Sequence, residues 1–161
     1  SIAAITGYAM GGGLEVALSC DVRICEEQAQ MALPEASVGL LPCGLGSQQL
    51  SWLVGEGWAK RMILLGERIK AQQAEKIGLV SEVVPTGTVL DHAFKLAQKV
   101  EKQSPTSVRF CKELIMQARS GDINSAYTKE RELFVKLWDT QDQKEGVGAF
   151  VDKRKPQWKN C

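Results

Sequence analysis

Three consecutive glycines and a nearby glutamate have the types and spacing that acid–base chemistry requires. Gly11, Gly12 and Gly13 follow an apolar run, and Glu15 stands two residues further on. A glycine turn that opens a helix leaves peptide N–H groups without intrahelical partners, and these donors with the helix dipole favour developing negative charge. A carboxylate beside such a site is suited to chemistry through an enolate. The alternative is a tightly packed strand-to-helix corner with Glu15 as a solvated acid.

A second carboxylate, Glu35, follows Pro34 after another short apolar run. Residues 29–33 predict a strand that ends at Pro34, because proline lacks a peptide donor. Proteins of the α/β class tend to place chemistry at the carboxyl ends of strands. Glu35 is therefore a candidate partner for Glu15, and the alternative is an acid on a surface loop.

Other chemistries find little support in the residues. Val16 stands where a dinucleotide-binding G-x-G-x-x-G turn would need its last glycine, and no phosphate-loop motif occurs. The lone histidine, His92, lies in a helical context without a nucleophile motif, so we expect a solvated position. A net charge of +1 gives no footprint for nucleic acid.

The cysteines are scattered without a C-x-x-C pair and predict free thiols in a reducing compartment rather than a metal site: Cys20, Cys25, Cys43, Cys111 and Cys161. No apolar run reaches the ~18 residues of a membrane span, so we expect a soluble protein.

Strand and helix signals divide the chain at Pro85. Strands are predicted at 2–8, 22–25, 29–33 and 79–84, and helices at 14–20, 48–54, 56–65, 71–77, 89–102, 105–119, 123–140 and 143–153. Ser47 is the predicted N-cap of the helix at 48–54. We therefore expect an α/β part at 1–85 and a helical tail at 86–161. The apolar stripe of the 123–140 helix predicts core packing, with a subunit interface as the alternative.

Read in order, these features resemble the enoyl-CoA hydratase/isomerase (crotonase) superfamily. The resemblance continues through LGERI at 65–69, AEKIGLV at 74–80 and FVDKRKP at 150–156. It implies an α/β spiral of ββα repeats with a C-terminal helical region that forms homotrimers or hexamers (dimers of trimers). The chain also lacks an initiator methionine and starts inside a strand-like run. We therefore expect it to be the C-terminal part of such an enzyme, without the N-terminal part.

By this resemblance the chain looks like an enoyl-CoA hydratase, a lyase that adds water to 2-trans-enoyl-CoA and gives 3-hydroxyacyl-CoA. Such enzymes serve fatty-acid metabolism, including β-oxidation. Gly12 matches the residue whose N–H is the second oxyanion donor, and Glu15 and Glu35 match the two catalytic glutamates. The partner is an acyl-CoA thioester, and no cofactor is expected because coenzyme A is part of the substrate. The expected compartment is the cytoplasm, or the mitochondrial matrix in a eukaryote.

The resemblance also implies a set of substrate-binding residues: Gly11, Gly13, Leu41, Pro42, Cys43, Gly44, Phe150 and Lys153. Phe150 and Lys153 match tail positions that contact the coenzyme A of a neighbouring subunit, although Lys153 also suits an ordinary exposed base. Cys43 departs from the glycine usual at its position, so its thiol is expected to narrow the pocket or alter the substrate range. Two alternatives stay open: a Δ3-Δ2 enoyl-CoA isomerase, and an inactive homologue that acts as an oligomerisation module.

Overall fold

Short strands and helices alternate up to residue 84. Among the described residues that follow, only helices occur. The computed structural model describes residues 1–119 and 121–160. In chain order the strands are β1 (Ile2–Ile5), β2 (Tyr8–Met10), β3 (Val22–Glu26), β4 (Gln30–Ala32), β5 (Ile69–Lys70) and β6 (Glu82–Val84). The helices are α1 (Gly12–Ser19), α2 (Gly46–Leu64), α3 (Ala71–Lys76), α4 (Val89–Val100), α5 (Pro105–Gln117), α6 (Ile123–Trp138) and α7 (Gln141–Val151), with a 3₁₀ helix at Glu35–Val38.

The first four strands belong alternately to two sheets, after which β5 joins the second sheet and β6 the first. One sheet has the order β1-β3-β6 and is parallel, whereas in the other, β2-β4-β5, only β2 and β4 run parallel. Ile2 lies opposite Val22 in the first sheet, and Tyr8 lies opposite Gln30 in the second. The units β1-β2-α1 and β3-β4-α2 are therefore stacked turns of the expected ββα repeat.

The strand expected at residues 2–8 is wrong as a single element. Residues 6–7 interrupt it, and β1 and β2 pair in different sheets. Apolar composition alone did not reveal the break, because both pieces are partly buried. The two-residue strand β5 was missed, since two residues are too few to show an alternating pattern.

Helix α2 begins earlier than the sequence indicated. Its N-cap is Leu45 and it has no side-chain cap, so the prediction of Ser47 as N-cap is wrong. Ser47 lies within the first turn, where its carbonyl accepts a hydrogen bond from Ser51 Oγ at 2.7 Å. Gly55 has φ 75° and ψ 161° and interrupts α2, which explains the expectation of two helices in this segment.

The main core packs α1, α2 and α3 against the strands. Its fully buried large side chains include Leu14, Met31, Leu33, Leu50, Met62, Ile69 and Leu79. Leu14 anchors the start of α1, so the glycine-rich end of this helix is fixed by the core below it. The site residues near that end are therefore carried on a packed framework.

The chain divides into two units, Ser1–Ala97 and Gln98–Cys161, rather than at residue 85. The difference arises from α4, whose Val89 and Ala93 are buried in a second cluster with Ile24 and Val84. This cluster ties the first turns of α4 to the β1-β3-β6 sheet. The contacts thus divide the chain within α4, and the division into a spiral core at 1–85 and a helical tail at 86–161 stays a prediction.

In the second unit, polar residues cap all three helices. Ser104, Asp122 and Thr140 accept hydrogen bonds from the first free N–H groups of α5, α6 and α7. Of the apolar stripe in α6, Leu133 is buried, but Val135 and Trp138 are 63% and 57% exposed. Packing within this unit thus covers only part of the stripe.

Candidate functional site

The N-terminus of α1 presents two peptide N–H groups that are free to bind a ligand atom. Gly11 has φ 54°, and its own N–H donates a hydrogen bond to Ala32 O at 2.9 Å. The N–H groups of Gly12 and Gly13 donate no hydrogen bond within residues 1–119 and 121–160. A Cβ added at either position would meet no atom within 4 Å, so the space beside these donors is open. Only Gly11 forms the turn, whereas Gly12 and Gly13 belong to the helix.

Glu35 lies directly against Gly11. A Cβ on Gly11 would come within 3.1 Å of Glu35 Oε1, so both the positive φ and this close approach require glycine. The contact follows from strand register, because Met10 is opposite Ala32 and the chains continue side by side. Glu35 Oε2 is buried and has no hydrogen-bond partner among the described residues. Buried polar atoms are nearly always paired, so this oxygen is available for a ligand or water.

The Glu15 carboxylate is held from one side by the loop at residues 42–46, which we call the Glu15 cradle. Glu15 Oε1 accepts hydrogen bonds from the N–H groups of Gly44 at 2.6 Å and Gly46 at 2.9 Å. Its Oε2 accepts no hydrogen bond from the residues that the structure describes. A Cβ would lie 3.0 Å from Glu15 Oε2 if added at Gly44, and 2.7 Å from Glu15 Oε1 if added at Gly46. Both glycines are thus required by close approach.

Leu45 gives the Glu15 cradle its shape. It adopts a left-handed conformation with φ 66° and ψ 10°, which costs an ordinary side chain about 1–2 kcal/mol. Alternation of helical and left-handed residues aims successive peptide N–H groups at one anion. The strained backbone at Leu45 therefore accompanies the convergence of the Gly44 and Gly46 donors on one carboxylate oxygen.

Both glutamates lie near the start of α1: Glu35 Oε1 approaches Gly11, and Glu15 stands in the first turn of the helix with its carboxylate on the N–H groups of Gly44 and Gly46. Each carboxylate keeps an oxygen without a partner within the described residues, and the open N–H groups of Gly12 and Gly13 begin the same helix that carries Glu15. Such a pair is able to hold a water molecule and exchange protons with a substrate whose carbonyl binds the N–H donors.

The other predicted binding residues are placed less specifically. Leu41 and Cys43 are exposed, whereas Pro42 is buried and lies against Gly46. Phe150 and Lys153 are exposed in the second unit, at and just beyond the end of α7. Their assignment to coenzyme A stays a prediction.

Two residues of the site were missed by sequence reasoning. Gly46 was not among the predicted binding residues, yet its N–H holds Glu15. Leu45 was read only as part of a turn, and its left-handed backbone has no signal in its residue type. The spacing Gly44-x-Gly46 before a helix was the available sign of paired donors.

His92 is partly solvated, with 34% of its side chain exposed, and it also has a partner. Its Nε2 lies 2.6 Å from Glu82 Oε2, and both side chains are about half-buried. This pairing gives His92 a structural partner on β6. Among residues 1–119 and 121–160, no three His, Cys, Asp or Glu side chains are grouped to hold a metal ion. Within the same ranges, no helix is both long enough and apolar enough to cross a membrane.

The thiols that the structure describes are free, at Cys20, Cys25, Cys43 and Cys111. Burial, with a smaller effect of the negative charge of Glu75, raises the pKa of Cys25 to about 11. That thiol is therefore kept protonated and inert. Cys161 lies outside the described residues.

Comparison with known proteins gives a consistent family. The family model described as enoyl-CoA hydratase/isomerase matches residues 1–161. The chain is 42% identical over 158 residues to the 2,3-dehydroadipyl-CoA hydratase of Escherichia coli K12, covering 98% of the chain and 62% of that relative. It is 41% identical to the short-chain-enoyl-CoA hydratase of Clostridium acetobutylicum, covering 96% and 59%. Among solved structures, DspI of Pseudomonas aeruginosa is 60% identical with a TM-score of 0.96, over 99% of this chain and 61% of that one.

The chain spans about three fifths of the length of the curated relatives it matches. These comparisons do not confirm the expectation that it is the C-terminal part of such an enzyme, which stays a prediction.

Proposed function

The chain belongs to the enoyl-CoA hydratase/isomerase family, and from that membership we propose that it supplies the acid–base pair of an enoyl-CoA hydratase. The reaction is the reversible syn addition of water to a 2-trans-enoyl-CoA, which gives a 3-hydroxyacyl-CoA. The observation that carries the proposal is that Glu35 Oε1 lies beside Gly11 while Glu15 stands in the first turn of α1, the helix whose first peptide donors are open. Hydration needs a base that removes one proton from the attacking water and an acid that delivers a proton to C2, and two carboxyl groups at the start of one helix are suited to those roles.

In the proposed mechanism the thioester carbonyl accepts a hydrogen bond from the Gly12 N–H. One donor of this kind lowers the barrier by about 3–4 kcal/mol in other oxyanion sites. Water held by the two carboxylates attacks C3 and gives a proton to Glu15 Oε2, while the double-bond electrons move to the enolate. Glu35, which starts the cycle protonated, then delivers its proton to C2, and the enolate collapses to the thioester. Transfer of the proton on Glu15 to Glu35 restores the pair. Acid and base roles belong to the pair as a coupled unit.

The Glu15 cradle supports this assignment. Two N–H groups fix Glu15 Oε1 in place, and Oε2 stays available for the proton. A fixed base needs little reorganisation at the moment of reaction, which is the main contribution of positioning. Coenzyme A enters as part of the substrate, and no further cofactor has a role in the proposed steps.

The proposed assembly is a homotrimer or a hexamer. Its support lies in the second unit, where large apolar side chains are left exposed: Phe134, Val135, Trp138, Val147, Phe150 and Val151. Exposed apolar surface of this extent is typical of an interaction site. Mass measurement by light scattering tests it, and a monomer at micromolar concentration would exclude it.

The cytoplasm, or the mitochondrial matrix in a eukaryote, is the proposed compartment, and related hydratases at 40–41% identity are named as mitochondrial.

The decisive experiment is hydration of crotonyl-CoA by the full-length protein, followed as loss of the enoyl-thioester absorbance. Glu15→Gln and Glu35→Gln should each reduce turnover by about 10²-fold or more while acyl-CoA binding persists. Glu56→Gln is the matched control, because this carboxylate is exposed on α2 and pairs with Lys60 on the same helix. Unchanged turnover in both site variants would contradict the proposal.

The same assay separates the two alternatives. Conversion of a 3-enoyl-CoA to a 2-enoyl-CoA without hydration would favour the isomerase. Absence of any acyl-CoA binding would favour an oligomerisation module.

A further inference from the structure

The segment that follows Glu35 exposes large apolar side chains at the edge of the candidate site. Leu40, Leu41 and Leu45 are 67%, 70% and 63% exposed, and we call these three residues the apolar rim. Leu40 is tied to the site through its N–H, which donates to Glu35 O at 3.0 Å. Leu45 lies between Gly44 and Gly46, whose N–H groups hold Glu15. The apolar rim thus adjoins Glu35 at one end and the Glu15 cradle at the other.

Leu45 is the residue whose side chain most needs an explanation. Its left-handed backbone suits the Glu15 cradle, but glycine or asparagine would adopt that conformation at lower cost. The leucine side chain gains little from the fold in return, because most of it is exposed. Strain without compensating burial is typical of a position that serves a ligand.

The charge of the segment limits the ligand. Residues 34–49 contain no Lys, Arg or His, and their only charged side chain is Glu35. A carboxylate at the far end of an acyl chain would find no cation here and would lie near a like charge. A methyl-terminated chain would instead bury apolar surface against leucine.

We infer that Leu45 is a specificity-determining residue, and that with Leu40 and Leu41 it selects acyl-CoA thioesters whose chains are uncharged and apolar. This inference rests on the proposed function. By this inference the chain differs in acyl-group preference from its 42%-identical relative, which is named a 2,3-dehydroadipyl-CoA hydratase.

The test uses two substrates of equal chain length, 2-hexenoyl-CoA and 2,3-dehydroadipyl-CoA, which differ by a terminal methyl or carboxylate. The full-length protein should prefer the hexenoyl substrate in kcat/KM by at least about tenfold, because an unpaired carboxylate loses hydration on binding. Leu45→Asn, which tolerates the left-handed backbone, should reduce that preference by about fourfold or more, the equivalent of one methylene contact. Leu45→Met should retain it.

Leu64→Asn is the matched control, since Leu64 is 68% exposed at the end of α2 and outside the segment. Equal use of both substrates, or a Leu45→Asn preference equal to that of the wild type, would overturn the inference and leave the hydratase assignment intact. If no substrate is hydrated, the proposed function fails. The affinities for saturated hexanoyl-CoA and adipyl-CoA, measured by titration calorimetry, then decide the inference alone. Loss of the preference for hexanoyl-CoA in Leu45→Asn supports the inference. Equal affinities of the wild type for the two ligands refute it, and that result is expected if another segment of a longer chain covers the apolar rim.

Discussion

Replacement of Gly46 by alanine is the sharpest perturbation of the candidate site. The added Cβ would lie 2.7 Å from Glu15 Oε1, 2.9 Å from Glu15 Cγ and 3.1 Å from Pro42 Cβ. Pro42 is buried and rigid, so the Glu15 side chain has to move. Restoring an ordinary contact displaces the carboxylate by about 0.7 Å. That movement also weakens the hydrogen bonds from Gly44 and Gly46.

The expected consequence is a loss of rate without a loss of fold. A misplacement near 1 Å costs about 10²-fold in turnover, equivalent to about 2.7 kcal/mol of barrier. Gly46→Ala should therefore lower kcat for crotonyl-CoA hydration by that factor, while circular dichroism keeps the native helix signal. Overpacking is also expected to lower the free energy of unfolding by about 1–3 kcal/mol.

Gly57→Ala is the matched control, because Gly57 lies on the same helix and an added Cβ there meets no atom within 4 Å. It should keep full turnover and gain up to about 1 kcal/mol of stability from helix propensity. In the double variant with Glu15→Gln, Gly46→Ala should cause no further loss, since both act through one carboxylate. A folded Gly46→Ala protein with wild-type turnover would refute the role of the Glu15 cradle.

Three further outcomes are expected. Gly12→Val places its Cβ in open space, so the free energy of unfolding, measured by thermal unfolding, should change by less than about 1 kcal/mol while hydration is lost. Retained hydration would rule out Gly12 as an oxyanion donor. Asp142 is 1% exposed and accepts N–H groups of Lys159 and Asn160. Asp142→Ala should lower the free energy of unfolding by about 1.5–3 kcal/mol and speed hydrogen exchange at those two amides, and unchanged exchange would show that the tail is held otherwise. Hydrogen bonds from Arg154, then from the Gln157 N–H, lower the pKa of Glu145 from 4.5 to about 2. Its stabilisation is thus present above pH 4.5 and disappears as the pH falls to about 2, so the stability difference between wild type and Glu145→Gln should vanish over that interval.

The sequence predicted the residue types of the site better than their arrangement. Glu15 beside a glycine-opened helix, and Glu35 after Pro34, were identified from local pattern, and the described structure places both near the start of α1, where their catalytic roles stay a prediction. The single strand at 2–8 and the Ser47 cap were wrong, because a change of sheet and a left-handed N-cap leave no mark on apolar periodicity. The predicted division at residue 85 stays a prediction, and the burial of Val89 against a sheet distant in sequence could not be inferred from local pattern.

By itself the sequence determined what chemistry the chain can carry: two carboxylates, flexible glycine turns, no motif for a nucleotide and one histidine. Only the tertiary structure decided which groups meet. Pairing of Met10 with Ala32 sets Gly11 against Glu35, and the packing of α2 on α1 brings Gly46 to Glu15 across 31 residues of sequence. The physical reason is that residue type fixes acidity and backbone freedom locally, whereas strand register and core packing fix the distances on which proton transfer depends.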